Sequence, residues 1–171
     1  MQKLSTLSKI FSVLSLMSAS IWIGSYLSRL FLIYRIFEGP DLVVKSFIND
    51  SNIEGILFAI MPAIVVHFLA FIFMIVATIL FFVTSKINLR NNGWLFIILV
   101  AVIITMPFEV YLMSIDLKVI LMLQSSSFDS NVIISLLRDR IKELSSYSIV
   151  AILTYLSFYY FIVFQPLTKK D

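Results

Sequence analysis

Cysteine is absent from this chain of 171 residues, and histidine occurs once. The first absence excludes disulfides, thiolate metal sites, cysteine nucleophiles and covalent haem attachment through a CxxCH motif. The second leaves His67 as the only imidazole, so the two axial histidines of a b-type haem cannot come from one copy of the chain. Glycine and proline number four each, too few glycines for a phosphate-cradling loop. No paired carboxylates, metal-spaced His cluster or Ser-His-Asp set stands out, and the expected class is non-enzymatic, with no metal and no cofactor. Charge is scarce as well: charged residues make up 13% of the chain, against roughly a quarter in soluble domains.

What fills the chain instead is hydrocarbon. Hydrophobic residues account for 60% and the mean hydropathy is +1.02. Residues 10–28, 55–85, 91–108 and 144–168 contain no charged side chain. About 20 apolar residues make a helix long enough to cross the hydrocarbon of a bilayer, so each stretch reads as a spanning segment. The fold class expected is all-α: a polytopic integral membrane protein with four transmembrane helices in an antiparallel bundle, forming a single transmembrane domain over residues 1–171. The spans are placed at about 10–37, 55–84, 93–116 and 146–166. Met1, Lys3, an apolar run and Ser18-Ala19-Ser20 imitate a signal peptide, but the apolar pattern continues through Trp22 to Phe37. That exceeds the h-region of about 7 to 15 residues and marks a first span that is kept.

The formal charge of +3 does not imply nucleic acid, because the basic residues sit at the ends of apolar segments and not along one face. Lys3 and Lys9 precede the first span, Lys86 and Arg90 follow the second, and Lys169 and Lys170 follow the fourth. The other two connections mix both signs. The positive-inside rule then puts both termini in the cytoplasm, with a bacterial inner membrane as the expected location. In the first outer connection Gly39-Pro40 stops the helix, and Leu42, Val43, Phe47 and Ile48 suggest a short interfacial helix. In the second, Ser130 or Asn131 can cap a helix over about 131–144, whose Ile133, Leu137, Ile141 and Leu144 form an apolar stripe. Arg138, Asp139, Lys142 and Glu143 form its wet side, as in an amphipathic helix lying on a membrane surface or against a partner, or in a plain solvated connector.

Small residues define packing faces. Ser8, Ser12, Ser15 and Ala19 share one side of the first helix, and Ser20, Gly24 and Ser28 another. Such spacing lets helix backbones approach closely in lipid. Ala63, His67, Ala70, Met74 and Ala77 make a seam on the second helix, Ala101, Thr105, Glu109 and Asp116 share a side of the third, and Ser148, Ala151, Tyr155 and Tyr159 one of the fourth. Pro107 falls well inside the third span, where it is expected to kink the helix.

Arg29, His67 and Glu109 are the ionisable residues set deep in apolar sequence. A charge at the bilayer centre costs about 2.5 to 3.5 kcal/mol on insertion scales, so such groups turn inward and pair. From the rise of 1.5 Å per residue, Arg29 lies about 12 Å, Glu109 about 10 Å and His67 about 18 Å below the outer helix ends. The expectation is an Arg29–Glu109 ion pair with His67 and Tyr155 hydrogen-bonded beside it, and Asp116 at the outer interface. The functional expectation is an accessory or assembly subunit whose partners are the lipid bilayer and either other membrane subunits or further copies of itself, with no nucleic acid. The first alternative is a transporter or channel for protons, ions or small solutes using Arg29, His67 and Glu109. The second, a haem anchor using His67, needs its other ligand from a second subunit or from a methionine such as Met61, Met74 or Met106.

Overall fold

A computed structural model of the chain describes residues 4–125, 128–143 and 145–169. Lys3, Leu144 and Lys170, which figure in the sequence expectations, lie outside the described residues. Five α-helices account for most of the structure: α1 (Thr6–Tyr34), α2 (Ile53–Ser85), α3 (Gly93–Gln124), α4 (Ser130–Lys142) and α5 (Tyr147–Phe164). All but α4 are long and apolar enough to cross a membrane, with mean hydropathies of 1.6 to 2.8 over their most apolar windows.

Local chemistry explains where the helices begin and end. Ser5 caps α1, its hydroxyl accepting from the Ser8 amide at 3.1 Å. Past Tyr34 the chain makes a two-residue hairpin, β1 (Phe37–Glu38) pairing antiparallel with β2 (Val43–Val44). Gly39 turns it at a φ of 68°, a conformation that favours glycine. The expected interfacial helix is therefore replaced by a hairpin whose Leu42 is buried while Phe47 stays exposed. Lys86 closes α2 in the left-handed region, and Asn88 caps a 3₁₀ turn, Leu89–Asn91, that leads into α3. Gly93 at the start of α3 touches the segment after α5. Its amide donates to the Leu167 carbonyl at 3.2 Å, and a Cβ there would meet the Leu167 Cβ at 2.9 Å. Pro62 and Pro107 both sit inside helices that continue through them.

The cap of α4 differs from expectation. Asp129 accepts from the amides of Asn131 at 2.9 Å and Val132 at 3.3 Å, taking the place foreseen for Ser130 or Asn131. Its carboxylate adds charge complementarity with the helix N-terminus. Asp129→Ala is expected to destabilise α4 by about 1 kcal/mol, to be read as faster amide exchange across Ile133–Leu137 with the other helices unchanged.

The most extensive helix contact joins α1 to α2; α4 packs chiefly on α3, and α5 touches α3 and, less, α1. Two apolar clusters result. One gathers Ile33, Ile36, Phe37 and Leu42 with Leu57, Ile60 and Ile64 of α2, Val119 and Leu123 of α3, and Ile133, Ile134 and Leu137 of α4. The other gathers Trp22 and Tyr26 with Ala70, Phe71, Met74, Met113, Ala151 and Tyr155. So α4 does not stand off the molecule as a free amphipathic helix; it closes one end of the first cluster. Arg138, expected on its wet side, is half-buried and donates to the Leu42 carbonyl at 3.1 Å, tying α4 to the hairpin.

Candidate functional site: a buried charged cluster

Between these clusters lies a group of ionisable side chains removed from solvent. Arg29 of α1 and Arg140 of α4 are each 3% exposed, and Asp116 and Glu109 of α3 are 0% exposed. Arg29 Nη1 donates to Asp116 Oδ2, and Arg140 Nε lies 3.5 Å from Asp116 Oδ1. The Tyr26 ring sits beside both cations, its centroid 5.7 Å from the Arg29 guanidinium carbon and 5.9 Å from that of Arg140. One carboxylate and one aromatic face thus hold two guanidiniums together, and with them α1, α3 and α4. A buried pair of this kind returns little net stability, because desolvation offsets the attraction, but it fixes which surfaces meet.

Arg29 is therefore paired with Asp116 and not with Glu109. The expectation failed because α3 does not end near residue 116: it runs on to Gln124, about two turns further. Asp116 is thereby drawn from the interface into the interior, under the cover of α4. Arg140 escaped notice on a helix that looked wet, although it follows Leu137 by three residues and Ile133 by seven, which puts it on the buried stripe.

The other residues singled out in the sequence are also buried. His67 is 0% exposed, with Trp22 stacked on it at a centroid distance of 5.7 Å and Tyr26 edge-on at 4.9 Å. Trp22 in turn packs on Tyr155 at 4.6 Å. The Tyr155 hydroxyl bonds Thr105 Oγ1 at 3.2 Å, and the Tyr147 hydroxyl donates to the Thr105 carbonyl at 2.8 Å. Arg29, His67 and Tyr155 are thus linked through the rings of Tyr26 and Trp22, in place of the direct hydrogen bonds expected. The His67 imidazole lies against the Trp22 backbone and the Glu109 carboxyl beside the Tyr147 hydroxyl, yet none of these side-chain atoms of His67 and Glu109 makes a hydrogen bond of good geometry among the described residues. Tyr26 and Trp22 were not foreseen as members, although their spacing from Arg29 by three and seven residues puts all three on one helix face.

Of the packing residues, Ala70 is buried and Ala63 half-buried on the seam of α2 that includes His67. On α1 the two small-residue faces part company. The Ser8, Ser12, Ser15 and Ala19 side turns inward, with Ser15 bonding Thr78 at 2.7 Å. Ser20, Gly24 and Ser28 lie on the exposed side, and a Cβ on Gly24 would meet nothing within 4 Å. Ser20 alone among these three makes a contact to another helix, a hydrogen bond of 2.7 Å to the Tyr159 hydroxyl.

Chemically, the site offers a carboxyl group and an imidazole with spare hydrogen-bonding capacity beside a fixed Arg-Asp-Arg array. Among the described residues no three His, Asp or Glu side chains gather as a metal site would require. No protein-family model, curated protein or solved structure matches the chain.

Proposed function

We propose that this chain is a non-catalytic integral membrane protein that crosses the bilayer four times and acts as an accessory or assembly subunit, docked against other membrane helices. The observation that carries this reading is the distribution of polarity. Between 17% and 39% of each span's most apolar window is buried within the chain, leaving side chains such as Val83, Ile103, Leu153 and Val163 59% to 72% exposed. Soluble monomers rarely expose apolar patches beyond a few hundred Å², whereas a bilayer or a neighbouring membrane subunit covers them at no cost. The ion pairs, by contrast, are turned inward.

An antiparallel arrangement agrees with the cross-helix contacts: Ser15 meets Thr78 while Trp22 meets His67, and Ser20 meets Tyr159 while Tyr26 meets Ser148. The hairpin and α4 then lie on one side of the membrane, and the Leu89–Asn91 turn and both termini on the other. Lys9, Lys86, Arg90 and Lys169 favour the cytoplasm for the latter, in our reading that of a bacterial inner membrane.

The stretch of Gly24 and Ser28, continuing from Ser20 whose hydroxyl bonds Tyr159, is where we expect a partner helix to approach, since small residues four apart permit close backbone contact. Because nothing lies within 4 Å of a Cβ at Gly24, Gly24→Leu is expected to leave the fold intact and to release the chain from its assembly. Mass measurement of the complex extracted in mild detergent checks this. A Gly24→Leu protein that still co-purifies in the original ratio, or a wild type extracted alone as a monomer, refutes the docking role.

A second reading is favoured by Glu109 and His67, which are buried and make no hydrogen bond of good geometry among the described residues. Carboxyl and imidazole groups so placed suit a path for protons or small ions, to which Arg29 supplies the fixed positive charge. On this reading Glu109→Gln abolishes flux into liposomes while leaving unfolding behaviour unchanged. Unaltered flux removes Glu109 from any such path.

A further inference from the structure

The four long helices end unevenly on the side that carries the hairpin and α4. Two hydrogen bonds set the level of the start of α5: the Tyr147 hydroxyl donates to the Thr105 carbonyl of α3 at 2.8 Å, and the Tyr26 hydroxyl of α1 donates to Ser148 at 3.0 Å. Past these contacts α1 continues through residues 27–34, about 12 Å, and α3 through residues 106–124, about 28 Å. On the opposite side α3 and α5 finish together, the Gly93 amide donating to the Leu167 carbonyl at 3.2 Å. The overhang leaves a notch above α5, an open cleft of about 370 Å³ between Tyr34, Pro40 and Leu42 on one wall and Ile141, Lys142 and Ser145 on the other. Among the described residues Lys142 is the one charged side chain that lines it.

We propose that the phosphates of the outer leaflet meet the protein at this notch, with Lys142 facing them, so that α4, the hairpin and the overhanging ends of α1 and α3 stand outside the hydrocarbon. This placement rests on the four helices spanning a bilayer and adds their depth in it. The turn from α4 into α5 sets the level: Glu143, Ser145 and Ser146 are exposed there, and exposed non-helical backbone does not occur in hydrocarbon. The acyl chains therefore stop where α5 starts. Length agrees, since the 18 residues of α5 make about 27 Å, against roughly 30 Å of hydrocarbon. Charge agrees too. Between Lys9 and Arg35 on α1, and between Arg90 and Lys118 on α3, every charged side chain is buried, whereas Arg35, Lys118 and Lys142 are exposed. Side chains lean toward the start of their own helix, which aims Lys118 back toward the level of the notch. Tyr34 and Tyr111 are 44% and 48% exposed in the same zone, and tyrosine is enriched where acyl chains give way to headgroups. Lysine meets phosphate as a point charge. The Asp116–Arg140 contact then lies inside the protein but beyond the acyl chains, spared the cost of a charge at the bilayer centre.

Because cysteine is absent, a nitroxide can be attached at single exposed positions: Ser145→Cys in the notch, Leu121→Cys on the overhang of α3, Ser135→Cys on α4 and Leu153→Cys on α5. Each protein is reconstituted in vesicles of phosphatidylcholine and phosphatidylglycerol. Broadening of the lipid phosphorus signal reports nearness to phosphate, and relaxation of the nitroxide by oxygen or by a water-soluble nickel chelate reports depth. Ser145→Cys is expected to broaden the phosphorus signal several-fold more than the other three. Leu121→Cys and Ser135→Cys are expected to be relaxed by nickel, and Leu153→Cys to be relaxed by oxygen and shielded from nickel. Should Ser145→Cys not fold, Ser146→Cys serves as the notch position. Shielding of Leu121→Cys from nickel, or phosphorus broadening from the notch no greater than from Ser135→Cys, overturns the proposal while leaving the spans in place. Relaxation of Leu153→Cys by nickel overturns the spans themselves, and the placement with them.

Discussion

Replacing Asp116 with alanine is expected to destabilise the protein by about 3 to 5 kcal/mol, measured by denaturant unfolding in mixed micelles. The substitution removes the one carboxylate that contacts both guanidiniums, and each of these is 3% exposed. Neither Arg29 nor Arg140 can reach water without moving α1 or α4, so two buried cations lose the one carboxylate in direct contact with them. Removing all the charge at once should behave differently. The triple variant Arg29→Met, Asp116→Leu, Arg140→Met replaces ions with side chains that fill space, and buried triads exchanged in this way have proved neutral or stabilising. It is expected to unfold within about 1 kcal/mol of the wild type or above it. A triple variant as unstable as Asp116→Ala would mean that the array contributes net stability, contrary to the role in specifying packing assigned to it here. Function separates the two readings of the protein: a docked subunit keeps its assembly in the triple variant, whereas an ion path that needs Arg29 does not survive it.

Trp22→Ala is expected to cost about 3 to 5 kcal/mol, the range for emptying a large aromatic site in a packed core. Trp22 is 0% exposed. Its ring meets four others: His67 at 5.7 Å, Tyr26 at 5.2 Å, Phe71 at 6.0 Å and Tyr155 at 4.6 Å. It is the piece through which α1, α2 and α5 touch near the centre, and α5 has few other contacts with α1. Loss of the ring should loosen α5 first, seen as faster amide exchange over Ala151–Tyr155 than over α2. Trp22→Phe should cost much less, because the indole nitrogen has no hydrogen-bond partner among the described residues to lose and most of the ring contact survives. Equal losses for the two substitutions would show that the nitrogen, and not the packing, matters at this position.

The long helices were legible because length and apolarity are read directly from composition, and the seams of α2 and α3 because small and polar residues recur at helical spacing on them. Ala63, His67, Ala70 and Met74 do line one side of α2, and Thr105, Glu109 and Asp116 one side of α3. What sequence could not give was depth. The charge of Asp116 looked like the end of a span, when α3 continues with Val119, Ile120 and Leu123 buried beneath α4. Periodicity also says which face is apolar without saying what covers it, so the stripe of Ile133 and Leu137 looked like a membrane surface contact when it meets Leu57 and Ile60 of the same chain. For Ser20, Gly24 and Ser28 the same ambiguity ran the other way, toward an exposed face. The hairpin was hidden because Gly39-Pro40 signals a turn but not the pairing that follows.

We propose that four helices thread a bilayer, with the hairpin and α4 on one side and the Leu89–Asn91 turn and the end of the chain on the other. A chain without cysteine permits a direct measurement with single exposed cysteines at Asp50, Arg90, Ser135 and Thr168, labelled in sealed vesicles by a maleimide that cannot cross the membrane. Arg90→Cys and Thr168→Cys are expected to react from one side together, and Asp50→Cys and Ser135→Cys only from the other. Labelling of Asp50→Cys and Arg90→Cys from the same side would contradict it.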